Sequence, residues 1–135
     1  MLFRSNTAGR ALLALLPHCP PGTGFDVELH KGIALGSGMG GSAASSAAAV
    51  VAANATLPAP LNMSILYQAA MQGEAAATGS AHGDNVAPAL LGGLVIAPAQ
   101  GAPVRVPVPG WLHAAVVRPH FALETRTSRA VLGAP

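Results

Sequence analysis

Apolar residues recur at helical spacing in parts of this chain and alternate with polar ones in another, with glycine and proline between. Residues 6–16 read as an amphipathic helix with Arg10 on its polar side, ended by Pro17. Residues 17–24 form a breaker-rich loop, and residues 25–30 (FDVELH) alternate as a half-buried strand would. Residues 32–41 turn through a glycine-rich loop into a helix over 42–55, whose side chains are nearly all small and would let it pack close to a sheet or another helix. Pro58 and Pro60 close that region. Asn62 then stands as an N-cap before Ile65, Leu66, Ala69, Ala70 and Met71, a helical period that predicts a helix over 62–77. Residues 90–97 and 113–118 read as strands, with 100–110 a proline-punctuated connection between them. Residues 125–132 open a final helix with Thr125 or Thr127 as its cap. No internal repeat appears, and the mixture of elements predicts an α+β fold.

Composition narrows the classes. The chain has 135 residues, a one-domain length, and 51% of them are hydrophobic. Much of that is alanine and only 4% is aromatic, so the core has little apolar area per residue. The formal net charge is +2, with no basic run and no interleaved aromatics, which argues against nucleic acid as a partner. No apolar stretch reaches the length of a membrane span without Gly, Pro or polar breaks. The single Cys19 allows no intramolecular disulfide and suits a reducing compartment. The opening residues have a basic residue before an apolar run, but the run is short and lacks a small-x-small cleavage site, so a cytoplasmic location is expected.

Candidate chemistry starts at residues 36–46, GSGMGGSAASS, where a flexible loop opens directly onto a helix former. Such a junction presents free backbone N–H groups and the positive end of a helix dipole, an anion site in waiting. Ser42 stands where loop becomes helix, able to cap it or to face a metal-bound phosphate. The run is not a Walker A loop, because no Lys-Ser or Lys-Thr follows its glycines. Gly36, Gly38 and Gly41 satisfy G-x-G-x-x-G, but no acid follows about twenty residues on to bind a ribose. Linkers and tight helix contacts share this composition, so the loop alone leaves those alternatives open.

A second cluster adds weight. Glu74 is the only acid between Glu28 and Asp84, and His82, Asp84 and Asn85 follow within a dozen positions. Gly79 and Gly83 bracket His82, which predicts a shaped loop rather than a helix. Asp84 and Asn85 could equally be turn formers. Glu74 falls near the end of its helix, where the dipole disfavours a carboxylate, so it either points into water or has a compensating cation.

The two clusters together resemble the GHMP kinases, and within them the homoserine kinase branch. The family's phosphate motif, usually P-x-G-x-G-L-G-S-S-A, stands here as ALGSGMGGSA over residues 34–43, with Ala34 for the proline and Gly41 for the first serine. Gly79-Ser80-x-His82-x-Asp84-Asn85-Val86-Ala87-Pro88, with Leu91-Gly92-Gly93 after it, is similar to the homoserine-specific segment. Residues 119–129, with Thr125, resemble the strand and turn that carry a substrate arginine.

The resemblance implies a two-layer GHMP-kinase N-terminal-type domain, a mixed sheet packed on helices. Here it would be incomplete: a partial ATP-binding domain over 1–110 and the start of a C-terminal domain over 111–135. Family members run to twice this length or more, so the chain reads as the central portion of such a kinase. The resemblance further implies ATP, Mg²⁺ and L-homoserine as ligands, and a homodimer as the wider family's habit. Gly36, Ser37, Gly38, Met39, Gly40, Gly41, Ser42 and Ala43 would cradle the triphosphate, with Asn6 at the adenine. Ser42 and Glu74 would hold the metal, and Ser42, Glu74 and Asn85 would form the catalytic set. His82, Asp84, Asn85 and Arg129 would orient the amino acid. No general base is implied, since the hydroxyl proton passes to a phosphate oxygen. Two other readings stand beside this one: a GHMP kinase for mevalonate or a sugar, and a nucleotide-binding remnant without turnover.

Overall fold

A computed structural model describes residues 6–34, 36–80 and 82–117. Four helices and a small sheet make up the described part: α1 (Thr7–Leu15), α2 (Gly41–Thr56), α3 (Met63–Thr78), α4 (Gly83–Leu91), β1 (Leu94–Ile96) and β2 (Val104–Val106). A 3-10 turn, Leu16–His18, ends α1, because Pro17 cannot continue it.

The caps form as their residue types dictate. Asn6 Oδ1 accepts from the Ala8 N–H at 2.9 Å, and Asn62 Oδ1 accepts from the Ile65 N–H at 3.1 Å. Between α2 and α3 the chain reverses through residues 57–62. Asn54 pins that reversal, accepting from the Leu61 N–H at 2.7 Å and donating to the Leu61 carbonyl at 3.3 Å. Both helices are 16 residues long, so a tight reversal sets the first turn of α2 beside the last turns of α3. That level pairing decides the site.

α1, α2 and α3 pack on one another, and α4 lies against α2 and α3. The core is built from Ala8, Ala11, Leu12 and Leu15 of α1, Ala43, Val50 and Ala53 of α2, Leu66, Ala69 and Ala70 of α3, and Val86 of α4. The small side chains of α2 thus serve approach to helices, not to a sheet. Gly73 marks the tightest point: a Cβ on it would stand 2.6 Å from the Thr7 carbonyl oxygen, 2.7 Å from Ser46 Oγ and 2.8 Å from Ala11 Cβ.

The α+β class holds. Among the described residues the sheet is a two-stranded antiparallel one, with Leu94 opposite Val106 and Ile96 opposite Val104, rather than the mixed sheet expected. Several local expectations are corrected. Residues 25–30 form no strand, and Val27 and Leu29 stand exposed. Alternation supplies a two-faced pattern, but a strand also needs a paired neighbour. The strand expected over 90–97 is confined to Leu94–Ile96, since Leu90 and Leu91 finish α4. The connection over 100–110 contains β2. Residues 113–117 form no strand, and the helix expected over 125–132 lies outside the described residues.

The largest correction is α4 itself. Residues 83–91, where a shaped loop around His82 and then the start of a strand were expected, are helical despite Gly83 and the internal Pro88. Its far end is held from a distance: Arg105 on β2 donates from Nε to the Gly92 carbonyl at 3.1 Å, and from Nη2 to the Leu91 carbonyl. A guanidinium on the last carbonyls satisfies acceptors and opposes the negative end of the dipole.

Candidate functional site

Three helix N-termini meet around the glycine loop. α2 starts after Gly40, which takes the left-handed conformation (φ 63°) and offers no side-chain cap. The first N–H groups of α2 therefore point out of the helix with no acceptor inside it. α1 starts alongside, its Thr7 hydroxyl donating to the Ser42 carbonyl at 3.2 Å. α4 starts opposite: Asn85 lies so close to Gly40 that a Cβ there would stand 3.0 Å from Asn85 Oδ1. Each terminus carries roughly half a positive charge. Gly36 and Gly38 also have positive φ, so the loop backbone is bent as its glycines allow.

Into this setting α3 delivers its one carboxylate. Glu74 is 5% exposed, which removes the alternative that it points into water. Ser42 Oγ donates to Glu74 Oε1 at 2.9 Å across the α2–α3 pairing. The unfavourable end of α3's own dipole is offset by that hydroxyl and by the neighbouring positive termini. Ser42 is thus not the cap of α2; it lies one residue inside the helix, with its hydroxyl turned toward α3.

The donor set suits a hard cation. Ligand bonds of 2.0–2.1 Å to Mg²⁺ give neighbouring oxygens of an octahedron a separation of about 2.9 Å, and the serine and carboxylate oxygens already stand that far apart. No three His, Cys, Asp or Glu side chains gather among the described residues, so a cage of the zinc type is not formed there.

The remaining expected residues fall into place unevenly. Gly41 begins α2, and a Cβ on it would meet Ile33 Cγ2 at 3.2 Å, which gives this chain a steric reason for glycine where the motif has serine. Met39 is half exposed on the loop, Ser37 closes a turn through its N–H to the Ala34 carbonyl at 3.3 Å, and Ala43 is buried. Asn6 caps α1 with its side-chain oxygen, beside the turn that carries Ser42. His82 is the N-cap of α4, exposed, with Nε2 2.7 Å from Ser80 Oγ. Asp84 accepts from the Asn85 N–H at 3.1 Å in the first turn of α4, where its charge suits the dipole. Arg129 lies outside the described residues. The sequence reading missed Tyr67, whose hydroxyl lies over Gly83, and Gly73, whose bareness sets the distance between α3 and its neighbours. Neither carries a local signal.

Residues 6–93 match the model of the GHMP kinases N terminal domain. A homoserine kinase of Xanthomonas campestris pv. campestris (strain B100) is 52% identical over 127 residues, which is 94% of this chain and 39% of that protein. One from Xylella fastidiosa (strain 9a5c) is 51% identical over 96% of this chain and 40% of its own length. One from Chlorobium phaeobacteroides (strain BS1) is 39% identical, over 96% and 43% respectively. The chain therefore spans about two fifths of the length of these curated relatives. No solved structure matches.

Proposed function

This chain belongs to the GHMP kinase family, and we propose that it contributes the phosphate-binding core of a site that transfers the γ-phosphoryl group of ATP to the side-chain hydroxyl of L-homoserine. The observation that carries the proposal is the 2.9 Å hydrogen bond between Ser42 and the buried Glu74 at the start of α2. The names of the relatives support the acceptor: the proteins it resembles over nearly all its length are homoserine kinases.

Phosphoryl transfer asks a protein chiefly for positioning and for neutralising charge. The open N–H groups of the loop and of α2 hold phosphate oxygens. Ser42 and Glu74 are the residues that would hold Mg²⁺, which supplies charge neutralisation on the phosphates when bound. Asn85 and Gly40 bring α4 against the cradle, so that His82, Asp84 and Asn85 face the acceptor across it. Asn85 cannot take a proton at neutral pH, and the acceptor's proton goes to a phosphate oxygen. Arg129 pairs with the amino acid carboxylate as a bidentate fork.

Isothermal titration of this chain with Mg-ATP, followed by a coupled assay with L-homoserine, tests the reading. Heat of binding and turnover that depends on homoserine are expected, and neither with any acceptor overturns it. Binding without turnover selects the nucleotide-binding module, a reading favoured by a chain that spans two fifths of its relatives. Arg129→Ala should raise the homoserine KM about tenfold or more while the ATP KM stays nearly constant, because only the acceptor carries the carboxylate. Equal changes in both would remove the clamp.

A further inference from the structure

We propose that Tyr67 is a positioning residue for the acceptor side of the site, its hydroxyl resting on the bare Cα of Gly83 and so fixing where α4 begins. The inference rests on the assignment of His82, Asp84 and Asn85 to the acceptor.

Gly83 is the first residue of α4, between the cap His82 and the pair Asp84 and Asn85. A Cβ on Gly83 would run into the Tyr67 hydroxyl before any other atom, with Ala97 Cβ at 3.3 Å and Tyr67 Cζ at 3.4 Å next. The severe obstruction is thus one oxygen, with Ala97 Cβ a tight neighbour that has to give by a few tenths of an ångström. Tyr67 itself is held: it is half-buried and packed against the helical core. Burial, and then the nearby Asp84 carboxylate, push the phenol above its ordinary pKa, so it stays neutral and protonated.

Tyr67 and Glu74 are seven residues apart on α3, two turns along the same face. One face of α3 therefore sends Glu74 to the start of α2 and Tyr67 to the start of α4. From Gly83 the first turn of α4 leads to Asn85, which abuts Gly40 at the head of α2. α3 thus sets both walls of the site, one through a carboxylate and one through a phenol. Misplacing the second wall weakens the hold on the acceptor and leaves the phosphate cradle as it was.

The test uses Gly83→Ala, Tyr67→Phe and the double variant in the full chain. Gly83→Ala places a methyl where the hydroxyl sits; the homoserine KM should rise about tenfold and the ATP KM by no more than about twofold. Adding Tyr67→Phe removes the severely obstructing oxygen and leaves Cζ at ordinary contact and Ala97 Cβ slightly tight, so the double variant should recover most of the acceptor KM. A Gly83→Ala chain with an unchanged acceptor KM overturns the proposal, as does one that Tyr67→Phe fails to rescue or one that loses ATP and homoserine equally. The side-chain amide signals of Asn85 in a ¹⁵N spectrum give a readout without turnover. They should move in Gly83→Ala and return in the double variant; signals that stay put, or fail to return, overturn it. If the parent chain neither binds ATP nor phosphorylates homoserine, the functional reading fails, and the amide signals still decide the role of Tyr67.

Discussion

Replacing Glu74 by Gln should lower turnover by at least about a hundredfold, the scale of losing one preorganised electrostatic contact at a phosphoryl-transfer site. The substitution isolates charge from shape. A glutamine retains an oxygen that can accept from Ser42 Oγ, so the 2.9 Å link between α2 and α3 has an acceptor in the variant too. What disappears is the buried negative charge that Ser42 meets at the start of α2. Mg²⁺ keeps most of its water and takes few protein ligands, so a site with one carboxylate depends on it heavily. ATP affinity measured with and without Mg²⁺ separates the effects. The gain in affinity that magnesium confers should shrink in the variant, while binding of metal-free nucleotide should hold or improve as repulsion between carboxylate and phosphate is relieved. A variant whose magnesium dependence equals the parent's removes Glu74 from the metal site. The fold serves as its own control: the midpoint of thermal unfolding should change little, because the replacement leaves helix α3 and its packing intact.

The helices that carry Ser42 and Glu74 were legible in the sequence for local reasons, whereas the proximity of the two residues was implied there only by the resemblance to the GHMP kinases. Asn62 is a strong cap, the apolar spacing after it is helical, and prolines at 58 and 60 close the preceding helix. The structure supplies the rest: the two helices have equal length and the reversal between them brings the first turn of one to the last turns of the other.

What was hidden depends on partners far along the chain. α4 begins with glycine and contains proline, both penalised in helices, and its first turn carries Asp and Asn, which also make turns. Its far end is held by Arg105, fourteen residues from Leu91. No window of sequence contains both halves of that arrangement. The strand expected over 25–30 failed for the converse reason, because its pattern was complete and its neighbour was not. β2 is only three residues long between prolines at 103 and 107, below what periodicity can register.

Gly73 went unmarked for the same reason, and substituting it should do more damage than any other single methyl. In an open helix, Gly→Ala gains roughly 1 kcal/mol, since alanine loses less backbone freedom on folding. Here the methyl would have to stand 2.6 Å from the Thr7 carbonyl oxygen and 2.8 Å from Ala11 Cβ, both on α1, and 2.7 Å from Ser46 Oγ on α2. Ser46 can rotate, but a backbone carbonyl and a Cβ inside a packed helix cannot. α3 must therefore back away from α1, opening a contact lined by Ala8, Ala11 and Ala70, none of which is long enough to follow. Overpacking of this kind costs about 1–3 kcal/mol. That outweighs the helical gain and is a large share of the stability of a core made mostly of alanine. Urea unfolding should show a lower midpoint for Gly73→Ala. Because Glu74 is the next residue, the same retreat lengthens its reach to Ser42, so the magnesium-dependent part of ATP affinity should fall with stability. A chain stabilised by the substitution would mean that α1 and α3 do not cross this closely, and the geometry that carries Glu74 to the head of α2 would fall with that crossing.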